Sequence, residues 1–195
     1  MTEQPETLRL IEAALRGDQR AYADLYHQHA AGLYRLLYGI LLNKQDAEDV
    51  TQEAFVYAFK NLARYDSRRA AFKTWLYTIA VSRSRNVHRR QRPISIDMAD
   101  IVRLKTPVSR DQTPEAHLTQ QCAKEAVAQA LTKLSARLRE AVVLRYGHGL
   151  TYREIAEVMD CPQKTAESRV RLAHNQLREQ LRDEGQGLLE ELLSL

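Results

Sequence analysis

The segment from Phe72 to Arg92, FKTWLYTIAVSRSRNVHRRQR, gathers the side chains with the most evident chemistry. Arg83, Arg85, Arg89, Arg90 and Arg92 crowd its last half with no acidic residue between them. Guanidiniums at that density suit a polyanion. Phe72, Trp75, Leu76, Ile79, Ala80 and Val87 recur at steps of three and four, which predicts an amphipathic helix that buries the Trp. Lys73, Thr74 and Tyr77 are expected off the buried stripe, where polar and aromatic groups can meet nucleotides. A solvated basic helix end, with Arg suited to the helix dipole, accounts for this stretch equally well. The connector ahead of it, RYDSRRAA, brings Arg64, Tyr65, Ser67, Arg68 and Arg69, types that stack on and hydrogen-bond to unpaired bases.

Two further sets of side chains share helix faces. In DAEDVTQEAFVYAFKNL, Asp49, Gln52, Glu53 and Val56 fall at i, i+3, i+4 and i+7. Two carboxylates, an amide and a Val on one face fit docking onto a basic protein helix. Taken alone, a solvated acidic helix start favoured by the dipole explains them better. Near the C-terminal end, Lys164, Ser168, Arg171 and Asn175 line one side of a predicted helix, with Glu167 and Arg178 close by. Such a face can reach base edges and phosphates in a major groove.

The elements that must position these groups follow from periodicity and capping. Residues 1–7 are polar and expected to fray. Leu8, Leu10, Ile11, Ala14 and Leu15 predict a short helix ending near Gly17, and Asp18 can cap a second helix from Gln19 or Arg20, loosened at Gly32. Asn43 to Asp46 reads as turn and cap, with Ala47, Val50, Ala54, Phe55, Ala58 and Leu62 as the buried stripe of the third helix. Residues 93–114 hold three of the five prolines and no sustained period, an extended linker whose apolar residues favour ordering on a partner. Thr113-Pro114-Glu115 starts another helix. Ser135 begins the next, which Gly147-His148-Gly149 stops, His148 serving turn geometry. Thr151 to Glu154 has the capping-box spacing, Asp160-Cys161 the turn, and Pro162 opens a helix with Ala166, Val170, Ala173, Leu177 and Leu181 inward. Two short helices, a tight turn and a polar outer face describe a helix-turn-helix, a better account than a plain helical hairpin.

Composition limits the alternatives. Across 195 residues, only 7 Gly and 5 Pro favour helix over a many-turned β protein. The net charge of +4 matters less than its segregation into acidic and arginine-rich segments. Cys122 and Cys161 have no CxxC spacing and are expected as reduced thiols. His27 and His29 point to different sides of a helix, so no metal site is expected. No signal peptide, lipidation motif or apolar run of spanning length is found, and a soluble cytoplasmic protein without membrane contact of its own is expected. With no Gly-rich phosphate loop, His/Cys cluster or nucleophile–base pair, an enzyme has little support and no cofactor is implied.

With both halves read, the sequence resembles bacterial sigma factors of the extracytoplasmic-function group, the two-domain minimal type. DAEDVTQEAF (46–55), FKTWLYTIA (72–80), LREAVVLRY (138–146) and LTYREIAEVM (150–159) carry the resemblance, from about Asp18 to Leu181. It implies an all-α chain of two small helical domains: region 2 over residues 1–92, a linker over 93–113, region 4 over 114–182, and a Leu-rich tail over 183–195. It implies a non-catalytic subunit that joins core RNA polymerase and recognises promoter DNA, both as duplex and as melted single strand. Asp49, Gln52, Glu53 and Val56 would dock on the polymerase clamp helices. Arg64, Tyr65, Ser67, Arg68, Arg69, Lys73, Thr74, Trp75, Tyr77, Arg85 and Arg89 would recognise and open the minus-10 element. The linker would thread toward the active-site channel. Region 4 would contact the flap tip and read the minus-35 element with Gln163, Lys164, Thr165, Glu167, Ser168, Arg169, Arg171 and Asn175. An anti-sigma protein is a further partner the resemblance allows. The family's P-x-G-T-x-K-S-R run is altered here, with Lys164 in place of Gly and Glu167 in place of Lys, so an unusual or weaker minus-35 contact is expected. The rival reading is a stand-alone regulator with an N-terminal ligand or partner domain, which accounts for residues 135–181 equally well.

Overall fold

A computed structural model describes residues 4–89 and 126–181, all helix and turn. Helix α1 spans Pro5–Leu15, with the Pro in the first turn where its missing N–H costs nothing. Residues 5–7 are therefore helical rather than frayed, and Thr7 is buried. Leu15, expected inward, is half exposed beside the helix end. Helix α2, Gln19–Leu41, is capped by Asp18, whose carboxylate accepts the Arg20 N–H. It runs through Gly32 without the expected loosening. A Cβ at Gly32 would meet the Tyr77 hydroxyl at 3.4 Å, so the small residue serves close approach rather than flexibility.

Leu42 ends α2 with φ at 55°, a left-handed backbone that costs an ordinary residue roughly 1–2 kcal/mol. Its side chain is fully buried, which contributes about 1.5–3 kcal/mol and offsets that strain. Asn43 then caps α3, Lys44–Lys60, by accepting from the Asp46 N–H at 2.9 Å. Ala47, Val50, Ala54, Phe55, Ala58 and Leu62 are all buried, as the period predicts. A short 3-10 turn, Leu62–Arg64, leads through a loop into α4, Phe72–Arg89. Helices α2, α3 and α4 pack on one another, with α1 laid against α2.

In the second half, residues 126–133 are helical. Helix α5, Ala136–Val142, continues into a π-type turn over Val143–Gly147. Helix α6, Tyr152–Met159, starts with the full capping box, Thr151 and Glu154 satisfying each other's backbone N–H groups. Asp160 turns the chain with φ at 51°, a conformation Asp tolerates better than most, and Pro162 precedes α7, Gln163–Gln180. Ala166, Val170, Ala173, Leu177 and Leu181 are buried, again as expected.

The two halves are not held apart. Helix α4 packs on α6, and α2 meets α5 and the π turn. Leu144, Leu150, Ile155, Val158 and Met159 join the same apolar core as Leu36, Leu76 and Val81. A second, smaller core lies among residues 126–181, with Leu134, Leu138 and Leu177 in it. The linker, the Thr113-Pro114 helix start, Cys122 and the Leu-rich tail fall outside the described residues.

The capping box gives a local test. Thr151→Ala removes both hydroxyl hydrogen bonds at the start of α6 and should lower stability by about 1 kcal/mol, read as a shift in the urea or thermal midpoint.

Candidate nucleic-acid interface

The candidate residues lie on three surfaces. On α3, Asp49, Gln52, Glu53 and Val56 are all exposed, with Val56 at 53%. Val56 and the neighbouring Tyr57 are among the few large apolar side chains left in water. Arg83 reaches this face from α4. Its guanidinium sits over the Tyr57 ring, 4.6 Å from the centroid, and meets Glu53 at 3.5 Å. Both Glu53 and Arg83 keep solvent access, so the pair contributes little to stability and leaves the carboxylate face open.

The connector before α4 is a folded loop over an aromatic cluster. Tyr65, Phe72 and Trp75 pack with centroids 5.4 to 5.7 Å apart. The Tyr65 hydroxyl donates to the Ala70 carbonyl at 3.0 Å, closing the loop. Trp75 is partly buried against the core, as expected of it. Arg64, Arg68 and Arg69 are exposed, and Ser67 is half-buried. Arg68 is not a free cation. Its guanidinium donates twice to Asp66, at 3.0 and 3.1 Å, and its own N–H donates a third time. Those bonds hold the Asp66 carboxyl below its ordinary range and push the Arg68 guanidinium up.

Along α4, the expected exposure of Thr74 and Tyr77 is overturned: they are 4% and 2% exposed. The cause is that α4 is covered on two sides, by α2 and α3 on one and by α6 with the turn before it on the other. The Tyr77 hydroxyl shares a 2.9 Å hydrogen bond with His148 Nδ1, the two rings meeting edge to face at 5.2 Å. Burial drives the Tyr77 phenol well above its usual range, although Arg35 works against the shift. Lys73 stays exposed along its stem, but its ammonium donates to the His148 carbonyl at 3.4 Å. Desolvation lowers its pKa; Glu154 opposes this and Arg35 adds to it. Arg35, on α2, is thus a further cation beside this face that no motif had marked.

Arg85 is held most firmly. Its fork donates to both oxygens of Glu140, at 3.3 and 3.0 Å, and to the Met159 carbonyl at 3.0 Å. The Glu140 side chain is 1% exposed, and Arg137 donates to it as well, at 3.2 Å. Glu140 and His148 are the residues sequence reasoning missed. Hydrophobic patterning gives no signal for a buried carboxylate, and two flanking glycines mark His148 only as part of a turn. Arg89 lies in the last turn of α4, where only the backbone is described.

On α7, Gln163, Lys164, Ser168, Arg171 and Asn175 are exposed, while Thr165, Glu167 and Arg169 are half-buried. Gln163 donates to Glu167 at 3.0 Å across the first turn, so the residue that replaces a Lys in the related pattern is tied to its neighbour. An open cleft of about 500 Å³ runs beside this face, lined by Tyr146, Tyr152, Lys164, Glu167, Arg171 and His174. Cations, amides and hydroxyls on a projecting helix are the donor set for phosphate and base edges. Among the described residues no group of His, Cys, Asp and Glu is arranged to hold a metal ion. Nor is any of their helices long and apolar enough to cross a membrane. Cys161 is a free, half-buried thiol in the turn before α7.

Two family models match the chain, Sigma-70 region 2 over residues 25–94 and Sigma-70, region 4 over residues 124–177. The RNA polymerase sigma-H factor of Pseudomonas aeruginosa is 33% identical over 176 residues, which cover 87% of this chain and 91% of that one. The ECF RNA polymerase sigma-E factor of Escherichia coli K12 is 35% identical over 180 residues, covering 87% and 91%. CnrH, solved in complex with the cytosolic domain of CnrY, superposes with a TM-score of 0.66 at 27% identity, covering 90% of this chain and 97% of that one.

The contrast between open and covered residues predicts a contrast in stability. Reversing Asp49 and Glu53 to Lys should change folding stability by less than about 1 kcal/mol, as for exposed charges with at most one weak pair. Arg85→Met leaves Glu140 with Arg137 alone and should cost roughly 1–3 kcal/mol, measured by urea titration of the same chain.

Proposed function

The chain belongs to the extracytoplasmic-function group of the sigma-70 family, and on that premise we propose that it seats on core RNA polymerase and reads two promoter elements. The open face of α3, with Asp49, Gln52, Glu53 and Val56, docks on the clamp helices. The connector and α4 capture the minus-10 element as a melted strand. Helix α7 reads the minus-35 element as duplex, while region 4 meets the flap tip. The division of labour follows from chemistry. Opening a duplex needs aromatic and cationic groups that take up unstacked bases, each stacked base contributing roughly 1–3 kcal/mol. Reading an intact duplex needs a rigid helix in the major groove.

The observation that carries this reading is the pairing, in one chain, of an exposed acidic face on α3 with an exposed Lys, Ser, Arg and Asn face on α7. A stand-alone regulator has use for the second and none for the first. Glu167, restrained by Gln163, suits acceptance from a cytosine amino group and weakens attraction to phosphate. An anti-sigma protein is the further partner we propose, because the solved relative CnrH is held by the cytosolic domain of a second protein.

The decisive experiment supplies the purified chain to core polymerase and maps transcript starts on duplex templates, with targets found by sequencing starts after overexpression. Specific starts that depend on the chain are expected. Tight occupancy of its targets without polymerase, and no specific starts with it, would sink the reading. Two substitutions test the parts. Asp49→Lys with Glu53→Lys should weaken capture of core polymerase at least tenfold while leaving duplex binding at the upstream element unchanged. Arg171→Ala should leave polymerase capture intact and weaken the upstream footprint by about 1–3 kcal/mol, and an undiminished footprint would remove that residue from the contact.

A further inference from the structure

Arg68 holds Asp66, Arg85 holds Glu140, and the Tyr65 and Tyr77 hydroxyls have hydrogen-bond partners. The cleft beside α7 is different. Tyr146, Tyr152, Lys164, Ser168, Arg171 and His174 converge on it, and among the described residues none of their side-chain polar atoms is hydrogen-bonded. Glu167, the carboxylate in the lining, is instead tied to Gln163 at 3.0 Å, toward the first turn of α7. The groups left to a ligand are donors. Two of them belong to no face that the helical period marked: Tyr146 comes from the π-type turn, and its ring meets that of His174 with centroids 6.3 Å apart. Across the cleft, Arg145 fixes Tyr152, its guanidinium 4.9 Å from the ring centroid while it donates to the Leu150 carbonyl at 2.9 Å. Burial and the neighbouring Tyr152 hold the Tyr146 phenol above its ordinary range, with Arg145 opposing, so the hydroxyl keeps its proton and can donate.

We propose that this cleft seats one backbone phosphate of the upstream duplex, with the Tyr146 hydroxyl and the His174 ring as donors to it. In helix-turn-helix docking the second helix enters the major groove while the first crosses the backbone. Tyr152 opens α6 and the other wall is α7, so the cleft lies where a strand's backbone passes between them. Backbone N–H groups at a helix start are the usual seat for such an anion. Here the capping box occupies the Thr151 and Glu154 N–H groups and sets a carboxylate beside them, so side chains must supply the donors. Glu167 repels phosphate from the Gln163 end of the cleft, which leaves the Tyr146–His174 end for it. The inference rests on the minus-35 reading above and adds two contacts that fix the register of α7 without reading sequence. Inorganic phosphate offers the same chemistry, and the experiment separates the two sources.

Neutral linkages test it. Holoenzyme made with the full chain is titrated against duplexes of the mapped upstream element, each carrying one methylphosphonate in place of a phosphate. On unmodified duplex, Tyr146→Phe with His174→Gln should bind about tenfold more weakly than the native chain, by the same factor whatever the base sequence of the element. At one linkage, neutralisation should cost the native chain about tenfold and the variant less than about twofold, because the variant has already lost that contact. At every other linkage the two chains should lose equal factors. Binding by the variant equal to that of the native chain would overturn the inference. So would a variant that is weakened overall yet loses as much as the native chain at every linkage, since its defect would then be one of packing. Should the double variant fold poorly, Tyr146→Phe alone keeps the ring and should show the same linkage pattern at about threefold. Inorganic phosphate added to the free chain at constant ionic strength supplies the other arm. A shift of the His174 ring-proton resonances there, with no responsive linkage in the holoenzyme, would make the cleft a seat for a free anion and overturn the assignment to DNA. Absence of specific starts with the native chain would instead defeat the promoter reading on which the inference stands.

Discussion

A carboxylate that is 1% exposed must be neutralised where it sits, and Glu140 is neutralised by guanidiniums from both halves of the chain. Arg137 belongs to its own helix; Arg85 comes from 55 residues away. The rest of the seam follows from that clamp. With Arg85 pinned to Glu140 and to the last carbonyl of α6, the α4 ridge lies along α6. Tyr77 then reaches His148, and Val81 closes into the shared core. Gly32 and Gly39, seven residues apart on α2, leave room for the Tyr77 hydroxyl and for Val143 on the same side. A Cβ at Gly32 would just touch the Tyr77 hydroxyl, and one at Gly39 would press on Val143 Cγ1 at 3.0 Å, so Val143 would have to give way.

The seam mixes groups that water can replace with groups it cannot. If the halves parted, Arg85, Lys73 and the Tyr77 hydroxyl would exchange protein partners for water, at a net change of about 0.5–1.5 kcal/mol for a neutral hydrogen bond and about 1.5–3 kcal/mol for one to a charged group. Apolar side chains of the shared core that parting exposed would lose burial, roughly 1.5–3 kcal/mol for each one fully exposed. A seam of that kind is stable but not permanent. Its polar members are the same cations and phenol whose chemistry suits a nucleotide strand, so the interface that covers them is built from their own binding preferences.

Much of this was legible in the sequence wherever one face of a helix meets one core. The α3 stripe from Ala47 to Leu62 and the α7 stripe from Ala166 to Leu181 follow from period alone, and the caps at Asp18, Asn43 and Thr151 from residue type. Legibility failed where a helix is buried on two sides. Tyr77 looks like a surface residue in a periodic pattern because a phenol carries both an apolar ring and a polar tip, and only the His148 partner brings the tip inside. Glu140 could not be read as buried at all, since its place depends on an arginine in the other half. Arg68 was legible as a cation and not as a paired one, because the Asp66 that holds it lies two residues away in a loop whose turn no helical period describes. The roles proposed for these residues in DNA capture rest on the family resemblance and the chemistry of the side chains; their accessibility is what the fold adds.

A ligand shifts an equilibrium only by the difference in its affinity for the two states. The α3 face is open while the halves are packed together, so a partner that touched α3 alone would have no preference for parted halves. A ligand that parted the halves would have to make contacts that exist only in the parted chain, and the proposed promoter reading offers two kinds. A hold on region 4 at a distance from region 2 would strain the closed form; bases taken up on α4 would occupy Arg85 and Tyr77 directly. Reversing a strongly closed population from 1:99 to 99:1 needs about 5.5 kcal/mol of such preference. Two or three stacked bases supply a comparable amount, yet part of it is already spent on unpairing the duplex. Strand capture alone therefore falls short on a firmly closed chain. On the proposed promoter reading, a second hold on the C-terminal half would be the contact that favours the parted chain.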